Sequence, residues 1–285
     1  MMRLIFDFDG TITEKDTIST LAKAALAVQQ DRHGKDLTPA WDQVVKDYIE
    51  DCRRYKKDYA IPEPERRTVD EEIGYLAGSG DVEIASLERI ARSGVFAGLD
   101  EEDLRKMGRE VRESGQVGMR EGFADLVNLA GEKEWLIGVI SVNWSRAFIA
   151  GVLNQFDSLT PSIVANDISP NGTVVGPSSL QGHPLTNCAG KLTALHGDES
   201  LRQETEGSTV YFGDSTTDLQ CLLHGRGIAM AASDEESSLI STLRRVGLPV
   251  PHVSSSATDT TNVVFWARNF REVVDSNVLV RLGSA

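Results

Sequence analysis

The run Arg3-Leu4-Ile5-Phe6-Asp7-Phe8-Asp9-Gly10-Thr11-Ile12-Thr13 constrains this chain more than any other stretch of it. A short apolar segment ends in two carboxylates spaced two residues apart, and a Gly-Thr follows at once. Alternate residues of a strand share a face, so Asp7 and Asp9 can point into one pocket where the strand unravels. Gly10 lets the backbone turn sharply and approach a ligand closely. Residues 3–9 show little alternation, as expected of a strand in a parallel sheet covered on both faces. A plainer reading is a strand running into the Asp-Gly turn of a hairpin. A calcium loop of the EF-hand type fits badly, because the glycine arrives too early and the downstream glutamate is missing.

The character changes after this opening. From residue 16 to residue 115 the pattern is helical, with almost no strand signal. Ile18, Leu21, Ala24 and Ala25 mark one helix face, and Trp41, Val44, Val45, Tyr48 and Ile49 mark a second. Past residue 117 a βα rhythm sets in. It predicts strands at 136–140, 162–165, 209–212 and 227–230, with helices at 123–129, 144–154, 191–196, 218–223 and 235–246. Pro170-Asn171-Gly172 signals a hairpin turn. The Ser/Thr-rich stretch 253–261 reads as a surface loop, and 263–274 as a closing helix. Such alternation implies an α/β fold with a parallel sheet and right-handed crossovers. The expected division is a core of residues 1–15 and 116–285 with a helical insert at 16–115.

Ligands of open α/β sheets bind beyond the carboxyl ends of the strands. There the first strand delivers Asp7 and Asp9, and the strand 136–140 delivers Ser141, Val142 and Asn143. The strand 209–212 delivers Gly213-Asp214-Ser215-Thr216-Thr217-Asp218, and Lys191 stands at a helix start between the last two. Each is commonplace alone: a lone lysine on a helix is usually solvated, and Gly-Asp-x-x-x-Asp can be a helix cap. In order and context, however, the four resemble the four motifs of the haloacid-dehalogenase-like superfamily of phosphohydrolases. The resemblance implies a Rossmann-like core with its parallel sheet flanked by helices, and a helical cap domain at 16–115 that covers the strand ends.

The resemblance also implies roles. Asp7 is the expected nucleophile, forming an aspartyl-phosphate, and Asp9 the expected acid and base. Ser141, Val142, Asn143 and Gly10 would bind phosphate or substrate, and Lys191 would stabilise phosphoryl oxygens. Mg²⁺ is the expected cofactor, held by Asp7 and Asp214 through side chains and by Asp9 through its carbonyl, with Asp218 behind them. An acid at position 9 marks the phosphatases and phosphomutases of the superfamily, and the large insert resembles its phosphoserine phosphatase-like branch. Asp16 stands where that branch reads its substrate with Glu, and Ser141-Val142-Asn143 replaces its Ser-Gly-Gly, which puts phosphoserine itself in doubt. The expected activity is hydrolysis of a small phosphorylated metabolite. A phosphomutase and a non-catalytic phosphometabolite-binding protein are the alternatives.

Bulk properties narrow the partners. A net charge of −14 argues against a broad surface for nucleic acid or anionic membrane, although one small anion needs only local positive charge. The absence of an 18-residue apolar stretch argues against a transmembrane helix, and the early acids leave no room for a signal peptide. The three cysteines, Cys52, Cys188 and Cys221, show no metal or redox spacing, so free thiols in a cytoplasmic setting are expected. Oligomeric state is left open.

Overall fold

A computed structural model describes residues 2–156, 162–201, 208–255 and 263–283. In chain order it contains β1 (Arg3–Phe6), α1 (Ile18–His33), α2 (Thr38–Asp58), α3 (Val69–Gly78), α4 (Gly80–Ser93) and α5 (Glu101–Glu113). These are followed by α6 (Phe123–Glu132), β2 (Leu136–Ile140), α7 (Arg146–Val152), β3 (Ile163–Val164), β4 (Asp167–Ile168), β5 (Val174–Val175) and α8 (Cys188–Gly197). The remainder comprises β6 (Thr209–Gly213), α9 (Leu219–His224), β7 (Arg226–Met230), α10 (Ser238–Arg245), β8 (Phe265–Ala267), α11 (Phe270–Asp275) and α12 (Val278–Gly283).

Six strands form a sheet in the order β3-β2-β1-β6-β7-β8, and every neighbouring pair is parallel. The expected hairpin is present as the antiparallel pair β4–β5. Alternation along the strands divides the core between two faces. Leu4, Phe6, Val139, Phe212 and Phe265 pack with Phe123 of α6 and Phe270 of α11. Ile5, Ile140, Tyr211 and Trp266 pack on the other side with residues of α8, α9 and α10. Phe6 stacks on Phe212 with ring centroids 4.7 Å apart, which ties β1 to β6. The fold is therefore the Rossmann-like α/β arrangement expected, with helices on both faces of a parallel sheet.

Three expectations need correction. The first strand ends at Phe6, not residue 9, and Phe8–Ile12 winds into a tight turn in which Gly10 has φ +68°. The helix expected at 144–154 is limited to α7, capped by Ser145, whose hydroxyl accepts the Phe148 amide. The closing helix expected at 263–274 is instead a strand, β8, followed by α11. Phe265 is buried on one face of the sheet and Trp266 on the other, and a run buried on both sides has no period to separate strand from helix. Residues 256–261 of the expected loop and 202–207 of the acidic stretch lie outside the described residues.

Residues 18–113 supply α1 to α5, helical as expected. The chain leaves the core after Thr13 and returns at Met119, and the two connections run side by side. Thr13 bridges Met119, Glu14 N donates to the Gly118 carbonyl (3.0 Å), and Arg120 N donates to the Ile12 carbonyl (2.8 Å). Helix α5 meets α7 at a seam of glycines: a Cβ on Gly108 would stand 2.2 Å from the Phe148 carbonyl oxygen, and one on Gly151 2.1 Å from that of Arg105. A second attachment is ionic. Arg245 of α10 contacts Glu72 of α3 at 2.8 Å, and Arg66 reaches the same carboxylate at 2.7 Å.

Candidate active site

The strand order places β2 and β3 on one side of β1, and β6 to β8 on the other. The chain thus reverses its direction of winding between β1 and β6, and ligands of open α/β sheets bind at such a crevice. Asp7 lies at its head, its amide donating to the Phe212 carbonyl of β6 (2.8 Å). Asp7 shares the strand parity of Ile5, which faces α8, so its side chain meets Lys191 of that helix. Lys191 is completely buried, with Nζ 2.8 Å from Asp7 Oδ1 and 2.7 Å from Asp218 Oδ1. One ammonium thus serves two buried carboxylates, and the shorter contact is the hydrogen bond to Asp218. Burial and the neighbouring Asp218 push the Asp7 carboxyl well above its ordinary range, with Lys191 opposing them.

Asp9 is held differently. Its Oδ1 accepts the Thr17 amide (2.8 Å) and the Thr17 hydroxyl (2.6 Å), and its Oδ2 accepts the side-chain amide of Asn143 (2.8 Å). Burial, and then the charge of Asp16, push it up to about 6. A carboxyl poised there can both release and take a proton near neutral pH. Asn143 thus stands beside the acid, its amide engaged with Asp9 and, at 3.2 Å, with the Thr17 hydroxyl. Ser141 is wholly buried, and its Oγ accepts the Asn143 amide at 3.1 Å, leaving the hydroxyl proton free to be donated elsewhere.

Asp214 and Asp218 come from the turn after β6. Asp218 is fully engaged: Oδ1 accepts from Lys191 and the Tyr211 hydroxyl (2.8 Å), and Oδ2 accepts the amides of Asp214 (3.2 Å) and Ser215 (3.1 Å). Asp214 accepts only the Thr11 hydroxyl (3.1 Å) among the described side-chain contacts. Burial, and then Asp218, raise the Asp214 carboxyl to about 7. One oxygen from each of Asp7, Asp214 and Asp218 lies within 4.8 Å of the others. Three carboxylates, two of them buried, face one lysine, more negative charge than it balances. An all-oxygen donor set of this kind suits a hard divalent cation such as Mg²⁺. Asp7 and Asp214 have oxygens to offer it, whereas Asp218 is occupied in orienting the loop and the lysine.

Residues 4–223 match the family model described as haloacid dehalogenase-like hydrolase. The chain belongs to that family. It is 24% identical over 283 residues to Cold tolerance protein 1 of Saccharomyces cerevisiae, covering 90% of this chain and 87% of that protein. It is 26% identical over 235 residues to a CTO1 family protein of Schizosaccharomyces pombe, covering 78% of each. Among solved structures, a phosphoserine phosphohydrolase-like protein from Francisella tularensis superposes with a TM-score of 0.55 at 16% identity, over 96% of this chain and 99% of that one. At such an identity the likeness is one of fold.

The crevice of this hydrolase opens into a cavity of about 600 Å³ lined by Asp7, Asp9, Gly10 and Asp214 on one side and by residues of α2 and α4 on the other. Asp16 and Val142 also line it. Asp16 Oδ1 accepts the Ile18 amide (3.0 Å) and so seats the start of α1 as well. The structure adds supports that sequence spacing did not indicate. Arg120 donates to the carbonyls of Gly10, Thr11 (3.0 Å) and Arg268 (2.7 Å), which ties the turn after β1 to the segment after β8. Asn166 donates to the Val142 (3.2 Å), Asn143 (3.0 Å) and Leu185 (3.0 Å) carbonyls and accepts the Leu185 amide (2.7 Å), pinning the loop after β2. Tyr211 steadies Asp218, and Thr17 steadies Asp9. For Tyr211 the available signal was a phenol within an otherwise apolar strand.

Proposed function

We propose that this hydrolase is a Mg²⁺-dependent phosphatase that cleaves a small phosphorylated metabolite through an aspartyl-phosphate on Asp7. The observation that carries the reading is the contrast between the two leading acids. Asp7 is buried against the Lys191 ammonium, 2.8 Å from its Oδ1, whereas Asp9, two residues on, has three uncharged donors and a carboxyl near 6. Two carboxyl groups with environments this different suit two roles, nucleophile and proton carrier.

In the proposed sequence an Asp7 oxygen attacks phosphorus, and the phosphorus–oxygen ester bond breaks on the opposite side. Asp9, protonated, gives its proton to the departing alkoxide. The resulting Asp9 carboxylate then takes a proton from water as that water attacks the same phosphorus, which releases inorganic phosphate and regenerates Asp7. Lys191 supplies fixed positive charge beside the transferring group, and the free hydroxyl proton of Ser141 can be donated to a phosphoryl oxygen. Asp7, Asp214 and the Asp9 carbonyl would hold Mg²⁺, which when bound screens the repulsion between carboxylate and phosphate dianion. Asp218 keeps Lys191 and the Asp214 amide in place. Residues 16–115 serve as the cap, since α2 and α4 wall the cavity opposite the acids.

A phosphate-release screen over phosphorylated metabolites, with Mg²⁺ and with a chelator, tests the reading. Release that requires Mg²⁺ and disappears in Asp7→Asn is expected. Full activity in thoroughly chelated protein, or in Asp7→Asn, would overturn it.

A further inference from the structure

The cavity has a chemical bias away from the acids. Opposite the catalytic turn its wall carries Trp41 and Tyr48 of α2, Trp144, and aliphatic side chains of α2 and α4. The rings of Trp41 and Trp144 meet edge to face at 6.1 Å. Into this apolar wall is set the half-buried carboxylate of Glu83, and the exposed acids Asp42 and Asp16 also line the cavity. No Lys, Arg or His is among the described residues that line the cavity. Glu83 accepts the Tyr48 hydroxyl at 2.8 Å, and neither Glu83 nor Asp42 takes part in an ion pair among the described residues. Burial pushes the Glu83 carboxyl up, opposed by the Tyr48 hydroxyl. The same cavity is lined by Asp7 and Asp214 at its far end, which places the phosphate there on the phosphatase reading.

The geometry points to a substrate class: phosphate esters of alcohols that have an apolar or aromatic body and a cationic amine or ammonium group. The inference rests on the phosphatase reading for the position of the phosphate, at Asp7 and Lys191. From there the body of the alcohol lies against the aromatic wall that Trp41 and Trp144 build together, a surface that attracts cations as well as flat rings. The amine reaches Glu83, which Tyr48 holds in place. A carboxylate or a second phosphate on the alcohol would face acids with no cation to receive it, so phosphoamino acids and nucleotides are disfavoured. The volume, about 600 Å³, leaves room well beyond the phosphate.

Three esters on one frame test this: para-aminomethylbenzyl phosphate, benzyl phosphate and para-carboxybenzyl phosphate. In kcat/KM the amine should exceed the carboxylate by about tenfold or more, with benzyl phosphate between them. Glu83→Gln, which keeps an acceptor for Tyr48, should reduce that preference and leave benzyl phosphate nearly unchanged. Asp42→Asn, at an exposed position, provides a second variant if the first folds poorly, with the same direction expected. A carboxylate ester turned over as well as the amine, or variants that slow all three equally, would overturn the inference. Turnover of no ester would instead count against the phosphatase reading. Calorimetry with para-aminomethylbenzyl alcohol then decides the pocket: binding weakened by Glu83→Gln upholds it, and no binding, or binding indifferent to the variant, overturns it.

Discussion

Lys191→Met isolates the charge balance at the strand ends. Methionine preserves most of the length and apolar volume, so the change removes a charge without opening a cavity. In the native protein Nζ lies 2.8 Å from Asp7 and 2.7 Å from Asp218, with the lysine side chain wholly inaccessible. Breaking a buried pair by removing one partner costs about 3–5 kcal/mol, because the other charge is left uncompensated. Here one cation serves two carboxylates, so the upper part of that range applies. At about 2–4 °C per kcal/mol for domains of this general size, the midpoint of thermal unfolding should fall by about 10–15 °C. The deficit should depend on pH. Burial and neighbouring acids already raise Asp7 and Asp214 above their ordinary values. An acid raised in the folded state is tolerated below its unfolded pKa and costs stability as pH rises through the folded one. The variant should therefore lose least near about pH 5 and most near about pH 8. Thermal denaturation in chelator at both pH values is the assay, with phosphate release measured beside it. A midpoint near that of the wild type at the higher pH would refute the claim that this lysine compensates the buried acids.

Gly10→Ala would place a Cβ 2.2 Å from Asp214 Oδ2 at a residue with φ +68°. The left-handed conformation costs about 1–2 kcal/mol, and a displacement of Asp214 by about 1 Å can lower turnover by about 100-fold, so kcat should fall far more than the unfolding midpoint. Asn166→Ala frees the carbonyls of Val142 and Asn143. It should lower kcat in steady-state assays and speed hydrogen exchange in the loop after β2 while the sheet stays protected. Glu272, 23% exposed in its side chain, accepts from Arg268 and from His252. Burial opposes its charge, but these partners hold its carboxyl below the usual range. Its contribution is present above the ordinary glutamate pKa and lost as pH falls through the depressed one. Glu272→Gln should therefore flatten the acid limb of the stability curve by no more than about 1 kcal/mol, given solvent screening.

The parallel core was legible where apolar runs and turn chemistry agreed. Strands β2, β6 and β7 fell close to their expected bounds, and Asn171-Gly172 marked the β4–β5 hairpin. Strand β8 was not legible, because Phe265 and Trp266 are buried on opposite faces and leave no period. The acids, Ser141 and Lys191 were legible from their order at strand ends, and the structure brings Asp7, Lys191, Asp214 and Asp218 together. Their supports were not. Arg120 reaches the Gly10 carbonyl across 110 positions of sequence, and Asn143 reaches Asp9 across 134. No local spacing encodes pairings that exist only once the sheet has formed. The acidic, aromatic character of the cavity was hidden for the same reason: Trp41 and Tyr48 appeared as one apolar helix face, and nothing local to Glu83 tied it to them.

The central claim is that Asp7 becomes phosphorylated during turnover. Rapid acid quenching with a radiolabelled phosphomonoester identified in the release screen, followed by peptide mapping, tests it most directly. Label on the peptide containing Asp7, dependent on Mg²⁺ and absent from Asp7→Asn, is the result expected. Label on another residue, or rapid turnover with no trapped protein-bound phosphate and with Asp7→Asn still active, would contradict the account.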